Sequence, residues 1–241
     1  MPMKSTTETL QSNIRAAYAR DGFYIAEKLL SDEECDQLKI EALRVMAEHA
    51  APGGTVCVGV AAISPAYRLL ADDPRLVTIL QALLPDGVMF MSDKIVFKSA
   101  AKAFASPWHI DAAYWPGTRP KLSVWIPLDD ATAENGTLVA VRGSHGREWR
   151  HVRSDGRESN GEFGNFIRER LWPAEDELVC AIPRGSAVFF GDRLVHGSRP
   201  NTAGKDRYTL IGTYQAPEPA EAFDLEFPAR HVIIAPPTEP P

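Results

Sequence analysis

From residue 88 onward the chain is cut into short runs of β-branched and aromatic residues. "VMFMSDKIVFK" (88–98), "KLSVWIPLDD" (121–130), "TLVAVRGS" (137–144), "SAVFFGD" (186–192) and "YTLIGTYQA" (208–216) are each bounded by turn residues. The runs are short and rich in β-branched or aromatic side chains, which favour extended backbone. Many short strands at such spacing predict a sandwich or jelly roll. "ENG" (134–136) and "PRGS" (183–186) supply turns between them. Residues 143–177 break the rhythm: they are polar, rich in arginine, and carry Gly146, Gly156, Gly161 and Gly164. So long an excursion between strands predicts a lid-like insertion.

The first 87 residues read differently. Leu10, Ile14, Ala17 and Tyr18 recur at helical spacing, and Gly22 can end that helix. "GFYIAEKLL" is a short apolar stretch. Ser31 and Glu34 form the signature of a capping box, and Cys35, Leu38, Ala42 and Val45 continue as one stripe. Asp73 and Pro74 open a further helix as cap and first residue. The expected architecture is one mainly β domain over 1–241. Helices over 1–87 pack on it, strands fill 88–216, and 217–241 form a C-terminal extension whose "APPTEPP" end frays.

A chain of 241 residues can bury a substantial core. The net charge of −6 gives no basis for binding nucleic acid. Cys35, Cys57 and Cys180 are odd in number, widely spaced and without C-x-x-C, which argues against a disulfide framework or thiolate zinc site. No apolar run approaches a membrane span, and "MPMKSTTETL" lacks the apolar core of a signal peptide. The expectation is a cytoplasmic protein with reduced thiols, acting as monomer or homodimer.

Of six histidines, His109 and His196 stand apart, because each adjoins a β-like segment and precedes a loop rich in Gly, Pro or aromatic residues. His49 and His231 fall on a surface helix and near the tail. His145 and His151 fall in the polar excursion. In "SPWHIDAAYWP" the pair His109 and Asp111 is two residues apart, which on a strand means one face. H-x-D alone is a weak signal. Joined by His196 in "GDRLVHGSRPN", it gives two imidazoles and one carboxylate, which can cap one face of an octahedral metal and leave three positions open. Arg207 opens the strand after His196 and shares a face with Thr209 and Ile211. Its fork suits a carboxylate, and a strand-start surface arginine is the other reading.

These residues resemble the phytanoyl-CoA dioxygenase family of Fe(II)/2-oxoglutarate oxygenases. The resemblance runs from about residue 15 to 216. It rests on H-x-D at 109–111, W-x-x-L-D-D at 125–130, E-N-G at 134–136, G-S-H at 143–145, H-G-S at 196–198, and Arg207 eleven residues past His196. Arg142 departs from the pattern, standing where the family commonly has proline. The resemblance implies a double-stranded β-helix with N-terminal helices outside, and iron held by His109, Asp111 and His196. It implies that Arg207 and Ser198 hold the far carboxylate of 2-oxoglutarate, with Trp125 and Ser123 on the wall of that pocket. Trp125 as a plain core residue is the alternative. Lys98 stands where relatives place a lysine or polar residue near the site. His145 would support its turn. The implied reaction consumes O2 and 2-oxoglutarate, releases succinate and CO2, and oxidises an unactivated C–H bond. A carboxylate at Asp111 favours hydroxylation over halogenation, which needs a small residue there.

The substrate is the least constrained element. A small molecule is expected from the compact chain. The excursion carries Arg147, Arg150, His151, Arg153 and Arg157, and either one or two of these arginines recognise an anionic group on the substrate or the stretch is a solvated basic loop. Trp108, Tyr114 and Trp115 either wall the substrate pocket or pack as β-core aromatics. Competing functions are a cupin-like isomerase or hydrolase that does not use 2-oxoglutarate, which leaves Arg207 idle, and a non-catalytic β-helix binding protein.

Overall fold

The computed structural model describes residues 6–153, 164–218 and 227–237. Four α-helices occupy the N-terminal third: α1 (Thr6–Asp21), α2 (Asp32–His49), α3 (Pro65–Ala71) and α4 (Pro74–Leu83). Between them lie β1 (Phe23–Ala26) and β2 (Val56–Val58). The strands that follow are β3 (Val88–Lys98), β4 (Ser106–His109), β5 (Leu122–Pro127), β6 (Leu138–Val141), β7 (Val152–Arg153) and β8 (Asn165–Phe166). The chain ends through β9 (Glu177–Val179), β10 (Ala187–Gly191), β11 (His196–Ser198), β12 (Arg207–Gln215) and β13 (His231–Ile234).

Local chemistry sets the helix ends. Ser31 Oγ accepts from the Glu34 backbone N–H while Glu34 Oε2 accepts from the Ser31 N–H, the reciprocal box expected from the sequence. Below it Cys35, Leu38, Ala42 and Val45 are the buried stripe of α2. Asp73 caps α4 with Pro74 at its first position. In α1 the stripe holds for Ile14, which is fully buried, but Leu10 is exposed because the first turns run out past the core. Gly22 ends α1 at φ 84°, and a Cβ there would lie 2.5 Å from His145 Nδ1. Both conformation and space therefore require glycine at this turn.

Two antiparallel sheets form the double-stranded β-helix. The larger runs β1-β10-β5-β12-β3-β13, with β2 also paired to β3, and the smaller runs β4-β11-β6-β9. Strand β5 is buried at every residue. Its Val124 and Ile126 join the core under the helices, with Leu38, Val45, Leu76, Leu80, Phe90 and Phe189. Its Ser123 and Trp125 face a cavity between the sheets. A strand covered on both faces reads as a continuous apolar run, as "LSVWIP" does. The apolar stretch after Gly22 becomes edge strand β1, and β13 extends the larger sheet from the C-terminal region. Among the described residues, no helix is long and apolar enough to cross a membrane.

Candidate metal and cosubstrate site

His109 ends β4 and pairs directly with His196 at the start of β11, which brings the ring centroids to 4.2 Å. Asp111 is not on the strand. Ile110 is extended, at φ −119° and ψ 141°, and Asp111 is the first residue of a 3-10 turn over Asp111–Tyr114. The extended residue between them still aims Asp111 back towards His109. The turn is held by Asp192, whose carbonyl accepts from the Ala112 N–H at 2.9 Å and whose carboxylate accepts from the Lys121 N–H at 2.8 Å. Ser123 Oγ donates to Asp111 Oδ2 at 3.3 Å.

The approach to His196 is clamped by the G-S-H turn. Ser144 Oγ donates to the Val141 carbonyl and accepts from the Val195 N–H, at 2.7 and 2.9 Å. His145 packs near Tyr18, 6.3 Å between rings, and takes no part in the cluster.

The donor atoms of His109, Asp111 and His196 lie within 4.8 Å of one another. His109 Nδ1 lies 2.8 Å from the Pro107 carbonyl, and His196 Nδ1 lies 3.0 Å from the Leu194 carbonyl. A carbonyl only accepts, so each Nδ1 carries the proton and each neutral ring presents the bare lone pair of Nε2. Those Nε2 atoms stand 3.5 and 3.7 Å from Asp111 Oδ1. Three acceptors converging in a buried space are an arrangement that a bound cation satisfies. The residues therefore fit a divalent metal held on one face.

Electrostatics agree. Burial, reinforced by His109, lowers His196 to about 4, so its ring is neutral at working pH. Burial opposes the charge on Asp111, yet His196, His109 and Lys94 hold its carboxyl well below the ordinary range. Both shifts have the same consequence for the apoprotein. Between the unfolded histidine value near 6.5 and about 4, the unfolded chain takes up a proton that folded His196 refuses. Stability is thus whole above about 6.5 and declines as pH falls towards 4, by on the order of 3 kcal/mol. Below the unfolded aspartate value, protonation of Asp111 in the unfolded chain removes more. Urea midpoints of the metal-free protein should fall steadily from pH 7 to 4.5. A His196→Asn variant should show a shallower fall, and equal slopes would refute the assignment.

At the cavity's other end Arg207 is only 2% exposed. Nε donates to the Asn135 carbonyl and Nη2 to the Gly136 carbonyl, both at 3.0 Å, while Nη1 donates to Thr209 Oγ1. These bonds occupy three of five donors and leave two for a carboxylate. The guanidinium lies 5.5 Å from the Trp125 ring centroid. Burial draws Arg207 down to about 10, still a cation at neutral pH. Beside it Lys98 Nζ donates to Ser198 Oγ at 2.6 Å and to the Arg199 carbonyl at 2.7 Å. The cavity joining both ends has a volume of about 410 Å³, and its wall includes His109, Asp111, His196, Arg207, Ser198, Lys98 and Trp125.

Other expected residues fall elsewhere. Trp108 does not wall the cavity. Alternation along β4 turns it away from His109, onto Trp172 at 5.2 Å. Tyr114 does line the cavity, and its hydroxyl donates to the Asn165 carbonyl at 2.8 Å, tying the insertion to the metal-side turn. Trp115 also lines it. Arg147 and Arg150 are exposed and form no part of the wall; between them Trp149 packs on Trp172, in the cluster that holds Trp108. The Arg153 side chain and Arg157 lie outside the described residues. The cations that do line the cavity besides Arg207 and Lys98 are Lys94 and Lys121. Lys94 was legible: two alternations from Lys98 on one strand place it on the same face.

A double-stranded β-helix with two histidines, one carboxylate and a buried arginine in one cavity defines the Fe(II)/2-oxoglutarate-dependent dioxygenases. Within that class the chain belongs to the phytanoyl-CoA dioxygenase (PhyH) family, whose sequence model matches residues 18–209. It is 27% identical to the L-proline trans-4-hydroxylase of Streptomyces griseoviridis, over 88% of each chain. It is 26% identical to the ectoine dioxygenase of Bordetella bronchiseptica, over 88% of this chain and 77% of that one. Among solved structures, EctD from S. alaskensis with 2-oxoglutarate and 5-hydroxyectoine superposes with a TM-score of 0.68 at 25% identity. That match covers 85% of this chain and 76% of the other. An epimerase, SnoN, in complex with Fe3+, α-ketoglutarate and nogalamycin RO shares the fold at a TM-score of 0.72. Its identity is 21%, over 86% of this chain and 84% of that one.

Proposed function

We propose that this dioxygenase hydroxylates, or otherwise oxidises, an unactivated C–H bond of a small molecule that carries an anionic group. The observation that carries the reading is the single cavity, with the His109–Asp111–His196 cluster at one end and the half-free Arg207 fork at the other. A volume of about 410 Å³ lies within the usual ligand-pocket range of about 300–1,000 Å³.

When bound, Fe(II) with 2-oxoglutarate and O2 supplies an oxidant for the C–H bond, and 2-oxoglutarate leaves as succinate and CO2. The protein's own residues do the rest. His109, Asp111 and His196 would hold the metal and leave positions open for ligands. The Pro107 and Leu194 carbonyls fix both imidazole tautomers. Arg207 would hold the far carboxylate of 2-oxoglutarate through its remaining N–H groups, and Lys98 fixes Ser198 beside it. Trp125, Leu138 and Phe190 form an apolar wall that keeps water from the reacting carbon. The free thiols of Cys35, Cys57 and Cys180 are buried, which supports a reducing, cytoplasmic setting.

The test is anaerobic. Fe(II) and 2-oxoglutarate added to apoprotein should produce a visible charge-transfer band, and oxygen should then yield succinate. Fe(II) binding without that band would overturn the reading in favour of a cupin-like enzyme that does not use 2-oxoglutarate.

A further inference from the structure

From the arrangement of cations around the cavity, we infer that Lys94 anchors a carboxylate of the substrate. This rests on reading the cavity as an Fe(II)/2-oxoglutarate site, and it names the substrate class as small carboxylic acids.

The register of the larger sheet places Lys94. Across β3 and β12, Lys98 pairs with Arg207, Val96 with Thr209 and Lys94 with Ile211. Directly opposed residues share a face, and five of the six line the cavity or its mouth, while Thr209 accepts from Arg207 Nη1. Ile211 pairs in turn with Trp125. One alternation further along β12, Thr213 pairs with Ser123, whose hydroxyl holds Asp111. Lys98 and Arg207 thus serve the 2-oxoglutarate end. Lys94 lies about 13 Å along the strand from Lys98, one alternation from the level of the metal ligands. Its side chain is exposed at the mouth, and its charge bears on both Asp111 and His196.

Charge argues for an anion there. Bound Fe(II) and Asp111 leave one positive charge, the 2-oxoglutarate dianion reverses it, and Arg207 with Lys98 makes the sum positive again. One further carboxylate is in the lining, Asp93, whose Oδ1 accepts from the Ala61 N–H; Lys94 and Lys121 add two positive charges against it and leave the cavity cationic. Lys121 is held by Thr118 Oγ1 at 3.2 Å and the Arg119 carbonyl at 3.1 Å, and lies 5.6 Å from the Trp115 ring centroid. Lys94 has no ion-pair or hydrogen-bond partner among the described residues. Its cross-strand partners are Val58 and Ile211, whose side chains offer an ammonium no hydrogen bond. An anchored carboxylate would gain a charge-assisted bond against this apolar rim while the rest of a small molecule reaches the metal.

The test uses the Fe(II)-loaded enzyme and a panel of the free amino acids, L-proline among them, and ectoine, each set against its carboxamide. Succinate formation above the substrate-free rate reports coupled turnover. Anaerobic perturbation of the charge-transfer band reports binding independently of turnover. Carboxylates should act in both assays where their carboxamides fail. Lys94→Met should raise the KM of the active carboxylate about tenfold or more with a smaller change in kcat, and Lys94→Arg should restore most of it. Arg147→Ala with Arg150→Ala should matter less than Lys94→Met. The proposal is overturned if no carboxylate exceeds the substrate-free rate, if carboxamides serve equally, or if Lys94→Met leaves KM in place. Substrate-free succinate formation with an intact band keeps the underlying dioxygenase reading standing in each of those cases. Loss of both removes that reading instead.

Discussion

Asp111→Ala should bring 2-oxoglutarate-dependent succinate formation below about one hundredth of wild type. Loss of a residue that merely orients a ligand costs about 10–100-fold in metal affinity or activity. Asp111 is itself a candidate ligand, and the only carboxylate in the cluster, so its removal should exceed that range. The thermal behaviour separates a metal role from a structural one. In the metal-free protein Asp111 Oδ1 faces two bare imidazole nitrogens at 3.5 and 3.7 Å. Removing it takes the acceptor from Ser123 Oγ and the charge that His196, His109 and Lys94 favour, so the variant's apoprotein should melt somewhat lower, and the effect of metal is read from each variant's own baseline. Added Fe(II), or Co(II) as an air-stable probe, should raise the wild-type melting temperature in proportion to log metal concentration above Kd. Asp111→Ala should lose that rise. Asp111→Asn keeps the shape and the contact with Ser123 but not the charge, and should fall with the alanine variant. A fully active Asp111→Asn would show that the carboxylate does not hold metal.

The sequence carries some of this at the level of single residues and hides other parts. Helix α2 is legible because Ser31, Glu34 and the stripe from Cys35 to Val45 obey local rules of spacing and capping. Strand β3 is legible from end to end because an eleven-residue β-branched and aromatic run has no competing period. His109 and His196 were visible only as two strand ends. What joins them is a direct cross-strand pair between β4 and β11, a contact across 87 positions that no local pattern records. Asp111 satisfied the H-x-D spacing although it lies on a 3-10 turn, because one extended residue, Ile110, suffices to bring i and i+2 to one side. Trp108 misleads for the same geometric reason: adjacent residues on a strand point oppositely, so the neighbour of a ligand is the residue least able to share its cavity. Edge strands β2 and β13 are short, and their residues gain β structure only by pairing with β3. The basic excursion stands out by composition, while Lys94 and Lys121, which line the cavity with Lys98 and Arg207, belong to no basic cluster of that kind in the sequence.

Arg207→Ala should weaken 2-oxoglutarate binding about 100-fold, read as the concentration that half-saturates the anaerobic charge-transfer band. Hydrogen bonds to charged groups contribute about 1.5–3 kcal/mol each, and two lost N–H donors amount to about 3 kcal/mol even at the lower figure. The same substitution should also destabilise the fold. Asn135 and Gly136 aim their carbonyls at the guanidinium, and both would be left buried without it, at about 1–3 kcal/mol apiece. The E-N-G turn that carries them requires glycine at 136, which holds φ 81° and where a Cβ would lie 2.6 Å from the Arg199 carbonyl. Binding and stability must therefore be read separately. Arg207→Lys restores a cation but not the fork, so it cannot bond both carbonyls and still meet a carboxylate with two parallel N–H groups. It should recover part of the binding and leave most of the stability loss. If Arg207→Ala melts earlier yet saturates at the wild-type concentration of 2-oxoglutarate, the arginine is an internal strut alone, and the cosubstrate's far carboxylate belongs to Lys98 and Ser198. The remaining N–H donors of a buried, still charged guanidinium argue against that outcome, because a cation held at 2% exposure and only partly bonded calls for an anion.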